Sequence, residues 1–147
     1  MFGMTPRGVQ AYAKVGLETS VVAASPHELI VLLFDGALAA IHSARLHMKA
    51  GKIQEKGASI SRAIEIVNDG LRASLDKKAG GDIANSLDGL YGYMTDRLLQ
   101  ANLKNSVDML DEVQVLLVDL RDAWASIGKT PAAPAAVPNA APILVSA

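Results

Sequence analysis

Residues 25–48 read SPHELIVLLFDGALAAIHSARLHM, and this stretch determines the fold class. Ser25 precedes a proline and is followed three residues later by Glu28, which is the pattern of a capping box at a helix N-terminus. Apolar residues then recur at alternating spacings of four and three: Ile30, Phe34, Ala37, Ile41, Ala44 and Met48. This spacing is typical of a helix packed on one face, so the stretch predicts a bundle helix over residues 26–50.

Three further helices are predicted downstream by the same spacing of apolar residues. The second covers residues 54–75 and is followed by a loop over residues 76–81. The third begins at an N-cap Asp82, and the fourth ends at Gly128. Their apolar seams are Ile60, Ile64, Val67 and Leu71; then Ile83, Leu87, Leu90, Met94 and Ala101, widened by Tyr91 and Leu98; then Leu110, Val113, Leu117, Leu120, Trp124 and Ile127. Four such helices with short connections predict an all-α, antiparallel up-down four-helix bundle over residues 25–128.

The two ends of the chain differ in composition from the predicted bundle. Residues 1–24 contain a weak helical pattern interrupted by Gly8 and Gly16, which predicts a short, marginal N-terminal helix or lid segment. Residues 129–147 hold four of the six prolines and a single charged side chain. Such a stretch cannot bury enough apolar surface to offset its ordering entropy, so we expect a disordered Pro/Ala-rich tail.

Composition excludes several classes of protein. The 14 basic and 15 acidic side chains give a net charge of −1, so the basic footprint of a nucleic-acid-binding protein is absent. Without cysteine, the chain has neither a disulfide nor a thiolate metal site. Residues 1–10 lack the apolar region of a signal peptide, and the apolar run over residues 29–41 is interrupted by Asp35 and too short to span a bilayer. We therefore expect a cytoplasmic protein with no stable membrane insertion.

Motifs for catalysis and cofactor binding are missing as well. His42 and His47 are five residues apart, which is the wrong spacing for a pair of metal ligands on one helix face. The pair Gly80-Gly81 lacks the downstream Lys-Ser/Thr of a phosphate-binding loop, and no Glu-x-x-His pair of a di-iron bundle is present. We expect no enzyme activity, no cofactor and no metal.

The predicted helices carry more apolar side chains than one core requires. The extra residues are Leu29, Val31, Leu32, Leu33, Leu38 and Leu46 on the first helix, Tyr93, Leu99 and Leu103 on the third, and Val115 and Val118 on the fourth. Exposed apolar surface on a bundle usually marks an interaction site, which predicts a groove for a partner's amphipathic helix. Two other arrangements would also cover these extra apolar side chains: residues 1–24 packed permanently over them, or a homodimer. Both alternatives stay open.

The sequence resembles the FliS family of flagellar secretion chaperones over residues 8–127. The resemblance lies in the order and spacing of short segments: Ala11-Tyr12, residues 24–30 (ASPHELI), 33–37 (LFDGA), 80–84 (GGDIA), 90–94 (LYGYM), 98–103 (LLQANL), and Trp124. Gly92 departs from the family pattern, since an acidic residue is common at its position. The resemblance implies a cytoplasmic chaperone that binds the C-terminal segment of flagellin, prevents premature polymerisation and aids delivery to the flagellar export apparatus.

The predicted partner groove lies on the first and third helices. Its candidate residues are Leu32, Leu38, Tyr91, Tyr93, Met94 and Leu98, with Asn102, which matches a family position, at the rim. Met94 and Leu98 suit the core as well as the groove. The resemblance also implies that the N-terminal segment covers part of the groove when no client is bound, with Tyr12 and Val15 as the lid residues. A fixed staple on the core is the alternative role of Tyr12.

A function of a different class fits the same four helices. The chain could be a self-associating bundle, or a regulatory adaptor that binds another amphipathic helix such as that of an anti-sigma factor. Because both functions use an apolar helix face, the identity of the recovered partner distinguishes them.

Overall fold

Residues 25–128 are described by a computed structural model, and the four predicted helices are present in this range. The elements are α1 over Pro26–Lys49, α2 over Ile53–Glu65 with a π-helical continuation over Ile66–Arg72, α3 over Lys77–Lys104, and α4 over Val107–Gly128. These residues contain no strand, which confirms the predicted all-α class. The predicted lid over residues 1–24 and the predicted tail over residues 129–147 lie outside the described residues.

α1 begins at the predicted capping box. The Glu28 backbone N–H donates to Ser25 Oγ at 3.2 Å, and the Ser25 backbone N–H donates to Glu28 Oε1 at 2.8 Å. This reciprocal pair satisfies two N–H groups at the start of the helix. The helix ends at Lys49, shortly before Gly51, whose φ of +73° favours glycine. The predicted seam also faces the core, which buries Phe34, Ala37, Ile41, Ala44 and Met48.

The helices form an antiparallel bundle in which α1 and α3 each pack on α2 and α4. α1 and α3 therefore lie diagonally opposite each other, as expected for an up-down arrangement. Polar and aromatic contacts between α1 and α4 form an antiparallel ladder at three levels: His27–Trp124, Asp35–Arg121 and Arg45–Asp111. Arg45 also donates a hydrogen bond to Gln114.

The second helix departs from the predicted α-helical geometry in its C-terminal part. Residues Ile66–Arg72 form a π-helix, in which i→i+5 hydrogen bonds widen each turn. Gly70 lies against α1 in this segment, because a Cβ at its position would be 2.8 Å from Leu33 Cδ2. The absence of a side chain at Gly70 therefore permits the close approach of the widened turn to α1.

The start of the third helix differs from the prediction. Asp76, and not Asp82, is the N-cap of α3, since Asp76 Oδ1 accepts hydrogen bonds from two backbone N–H groups of the first turn at 3.1 and 3.0 Å. One helical turn thus forms where a loop was predicted, and Gly81 then interrupts the helix at φ +56° and ψ −131°. Ile83, predicted to face the core, is exposed two residues after this break.

α4 is buried along its first half and exposed at its end. The core contains Leu110, Val113 and Leu117, whereas Trp124 and Ile127, which were predicted to continue the seam, are exposed. Trp124 stacks on His27 with 5.0 Å between the ring centroids, and its indole N–H donates to the His27 carbonyl oxygen at 3.2 Å. The indole of Trp124 therefore connects the end of α4 to the start of α1 by stacking and by a hydrogen bond, and it lies outside the core.

Most of the surplus apolar side chains of α1 pack on its two neighbours. Leu33 is fully buried, and Leu46 is mostly exposed. Half-buried against the core are Leu29, Leu32 and Leu38. By length and composition alone, the whole of α1 is long and apolar enough to cross a membrane, and one of its faces is built into the bundle core.

Candidate partner-binding furrow

Three of the residues predicted for the groove lie in the core of the bundle. Tyr91 is 4% exposed, and Met94 and Leu98 are both 0% exposed. Burial raises the pKa of the Tyr91 hydroxyl well above its ordinary value. In this conformation the three side chains hold α3 against its neighbours and offer no surface to a partner. Their burial agrees with the alternative that Met94 and Leu98 serve the core.

The other predicted residues do not meet in one groove. Leu32 and Leu38 are both on α1, but six positions at about 100° per residue place them about 120° apart around the helix. α1 and α3 are diagonally opposite, so no furrow between two neighbouring helices is bordered by both. Asn102 is half-buried near the end of α3. The lid candidates Tyr12 and Val15 lie outside the described residues.

Tyr93 is exposed on the α4 side of α3, where a polar network holds it. Its hydroxyl donates a hydrogen bond to Glu112, which also accepts one from Arg97 Nε at 2.8 Å. The bond to Glu112 raises the pKa of Tyr93, and the bonds from Tyr93 and Arg97 lower the pKa of Glu112. The Tyr93 hydroxyl and Arg97 therefore link this side of α3 to α4 by polar contacts.

A different apolar surface lies on the α2 side of α3. Four residues share this side because they follow at spacings of four, seven and four: Asp88, Gly92, Leu99 and Leu103. Arg72, at the end of the π-helical segment, identifies the side as the one that faces α2. Its Nε donates to Asp88 Oδ1 at 2.7 Å, and a Cβ at Gly92 would lie 3.3 Å from its guanidinium nitrogens.

The opposite wall belongs to α2. Ile53, Gly57 and Ile64 are spaced by four and seven residues and so share one side of the helix. Gly57 faces α3, because a Cβ at its position would lie 4.0 Å from Asn102 Nδ2. The missing side chain leaves space between the two helices at this level. We call the surface formed by these α2 residues and by Leu99 and Leu103 the furrow.

Large apolar side chains are exposed along the furrow. Ile53 is 74% exposed, Leu103 71% and Leu99 48%, whereas Ile64 is half-buried against the core. Apolar side chains exposed together are typical of a protein-binding surface. An amphipathic helix or an extended apolar segment laid between α2 and α3 would cover them.

The Arg72–Asp88 ion pair marks one end of the furrow. Asp88 accepts hydrogen bonds from Arg72 and from Lys77, and the bond from Arg72 contributes most to lowering the pKa of the Asp88 carboxyl. This end is therefore polar and bridged by side chains. The apolar part of the furrow extends away from it, toward the end of α3.

Sequence reasoning identified part of this surface. It counted Leu99 and Leu103 among the surplus apolar residues but assigned the groove to the first and third helices. Ile53 and Gly57 were missing from that prediction. The signal that points to them is Gly57 itself, since a glycine inside a helix costs about 1 kcal/mol relative to alanine and needs a compensating role.

The side chains along the furrow are mainly apolar. Within residues 25–128, no group of three or more His, Cys, Asp or Glu side chains is placed to hold a metal ion. The furrow offers apolar contact area and, at its ends, charged side chains. Such a surface recognises a partner by shape and by apolar complementarity.

The chain matches a known family over all of the described residues and known proteins over most of its length. The family described as flagellar protein FliS matches residues 8–131. The flagellar secretion chaperone FliS of Salmonella typhimurium strain LT2 is 48% identical over 123 residues, which are 84% of this chain and 91% of that protein. FliS of Escherichia coli K12 is 46% identical over 118 residues, covering 80% and 87% of the two chains. FliS of Bacillus subtilis 168 is 34% identical over 107 residues, covering 73% and 78%.

Proposed function

Because this chain belongs to the FliS family of flagellar secretion chaperones, we propose that it binds the C-terminal segment of flagellin in the cytosol. In this role it keeps flagellin from polymerising prematurely and aids delivery to the flagellar export apparatus. The observation that carries the proposal is the row of exposed apolar side chains along the furrow, in a bundle of this family.

The size of the exposed apolar surface limits the binding free energy that the furrow can contribute. Full burial of an exposed Leu or Ile side chain contributes about 1.5–3 kcal/mol, so covering the exposed parts of Ile53, Leu99 and Leu103 contributes roughly 3–6 kcal/mol. Ordering a disordered client offsets about 2–5 kcal/mol of the gross interaction. The furrow alone therefore supports weak binding, and a tight complex needs contacts beyond it.

The proposed function requires reversible binding and no bond chemistry. We expect a stoichiometric complex that forms without nucleotide or cofactor, and we expect no catalytic activity. A client that folds as it covers apolar surface would give a large negative heat-capacity change on binding.

We further propose that residues 1–24 cover part of the binding surface when no client is present, with Tyr12 and Val15 in contact. A short helix interrupted by glycine is marginal in water, so a longer client helix displaces it at low cost. If the segment competes with the client, Tyr12→Ala raises client affinity. An unchanged or lower affinity would contradict the lid role of Tyr12.

The direct test is calorimetric titration of the full chain with the C-terminal segment of flagellin from the same organism, at several temperatures. Saturable one-to-one binding with a negative heat-capacity change is the expected result. No binding heat at any temperature would refute the proposal. Sedimentation of the free chain at the same concentrations shows whether a second copy occupies the surface instead.

Paired variants connect binding to the furrow. The double substitution Leu99→Asp and Leu103→Asp puts two charges on exposed furrow positions and is expected to weaken client binding strongly. Val115→Asp is compared with the single variant Leu103→Asp as the matched control, because Val115 is exposed on α4, which does not border the furrow. Equal loss of binding in both variants would argue against the furrow as the client site.

A further inference from the structure

The furrow opens at one end into a cleft of about 260 Å³ among the end of α1, the start of α2 and the end of α3. Ile53 and Leu103 of the furrow also line this cleft, so the two surfaces are continuous. The cleft has apolar and basic residues on its walls but no acidic ones: Met48, Ile53 and Leu103 are apolar, and His47, Lys52 and Lys56 are basic. An apolar pocket with positive charge is suited to an anionic group that carries apolar neighbours.

Lys56 is the charged side chain that the described part of the chain buries, with 7% of its surface exposed. Its Nζ donates to the Asn102 carbonyl oxygen at 3.1 Å and to Asn105 Oδ1 at 3.2 Å. Both acceptors are neutral, and within residues 25–128 no carboxylate forms an ion pair with Lys56. A buried ammonium without a counter-charge is costly, and one of its three N–H donors remains for a ligand.

Lys56 also has a role in the fold, which accounts for part of its environment. It binds the C-terminal end of α3, where the helix dipole amounts to about half a negative charge. The adjacent Asn105 ends α3 in the left-handed conformation, at φ 53°. This arrangement explains the two hydrogen bonds but compensates only part of the positive charge at the cleft wall.

The start of α2 adds to the positive character of the cleft. Lys52 is the N-cap of α2, and no side chain forms a capping hydrogen bond there. The positive end of the α2 dipole and the uncapped N–H groups of the first turn favour an anion at this position. Glu55, the acidic residue of that turn, is exposed and is not part of the cleft wall.

We propose that this cleft binds a carboxylate, and that its occupant is the terminal α-carboxylate of the client segment. The proposal rests on the proposed function, which takes the C-terminal segment of flagellin as the client. In this arrangement the client chain lies along the furrow and ends at the cleft, with its last residues on Ile53 and Leu103. Its carboxylate then supplies the counter-charge that Lys56 lacks.

The test compares two forms of the same client peptide on the full chain, one with a free terminal carboxylate and one with a C-terminal amide. A charge-assisted hydrogen bond to a buried ammonium predicts that the amide binds about tenfold or more weakly. In Lys56→Met, which keeps the apolar stem, the two peptides should bind with equal affinity. Lys104→Met, an exposed lysine of α3 outside the cleft, should keep the difference.

Each outcome decides the proposal. Equal affinity of the acid and the amide for the native chain would overturn the carboxylate site while leaving the proposed function intact, and an internal acidic residue of the client would give this result. Failure of both peptides to bind would overturn both proposals. The comparison on the native chain needs no substitution, so it remains valid if Lys56→Met does not fold.

Discussion

Two leucines on α3 lie in different environments, Leu98 in the core and Leu103 on the furrow. Leu98 is 0% exposed and Leu103 is 71% exposed, so the same substitution has different consequences at the two positions. Leu98→Ala is expected to lower the free energy of unfolding by about 2–5 kcal/mol, because it removes buried methyl groups and leaves a cavity. Leu103→Ala is expected to change the same free energy by less than about 0.5 kcal/mol, since it alters only an exposed surface.

For client binding, we expect Leu103→Ala to have the larger effect and Leu98→Ala the smaller one. Covering the exposed part of Leu103 contributes about 1–2 kcal/mol, which is the value for full burial of leucine scaled by its exposed fraction. Leu103→Ala should therefore raise the dissociation constant for the client by about 5- to 30-fold. Leu98→Ala should leave the affinity of the folded bundle close to that of the native chain.

The two quantities are measured separately. Urea denaturation followed by circular dichroism gives the free energy of unfolding, and unchanged denaturant slopes confirm that the transitions are comparable. Calorimetric titration with the flagellin segment gives the affinity under conditions where each variant is folded. The reasoning is refuted if Leu103→Ala destabilises the bundle as much as Leu98→Ala, or if only the Leu98 variant loses client affinity.

Three further predictions concern local features of the bundle. Ser25→Ala should cost about 0.5–2 kcal/mol by thermal unfolding and Ser25→Gly only a few tenths, whereas equal losses would contradict the capping role. The hydrogen bond from Arg72 lowers the pKa of the Asp88 carboxyl in the folded chain. The stability that this bond contributes is therefore present above the ordinary carboxyl pKa of 3.8 and is lost as the pH falls through the lower folded-state pKa. In Asp88→Asn, the free energy of unfolding should therefore depend less on pH in the acid range. Gly57→Ala should raise stability by up to about 1 kcal/mol because its nearest neighbouring atom is 4.0 Å away. Gly70→Ala should give no such gain in the same urea assay, since its Cβ would be 2.8 Å from a buried leucine.

The features that sequence predicted well are local. The capping box at Ser25 and Glu28 depends on residues three positions apart. The alternating spacing of four and three along α1 indicates which of its faces is buried. Short connections between successive helices favour antiparallel neighbours, which gives the bundle. None of these inferences requires knowledge of a distant contact.

The features that sequence did not predict depend on contacts between helices. The apolar surplus of α1 is mostly packed because two helices flank it, and the pattern of one helix does not report how many neighbours it has. The furrow needs Gly57 of α2 opposite Asn102 of α3, residues far apart in the chain. The close approach of Gly70, in the π-helical segment, to a leucine of α1 is likewise a contact between two helices. Sequence therefore predicted that apolar surface is in excess but not the pair of helices that exposes it.

The ladder between α1 and α4 determines how the bundle responds to a pulling force. Its pairs follow in order from one end: His27–Trp124, Asp35–Arg121 and Arg45–Asp111. Ser25 and Gly128, where the described bundle begins and ends, both lie beyond the first pair. Tension between these two points loads one pair at a time and peels α4 from α1, whereas a pull on opposite ends of the bundle would load all three pairs together. Of the three pairs, we therefore expect the stacked His27–Trp124 pair to break first under such tension, followed by Asp35–Arg121 and then Arg45–Asp111.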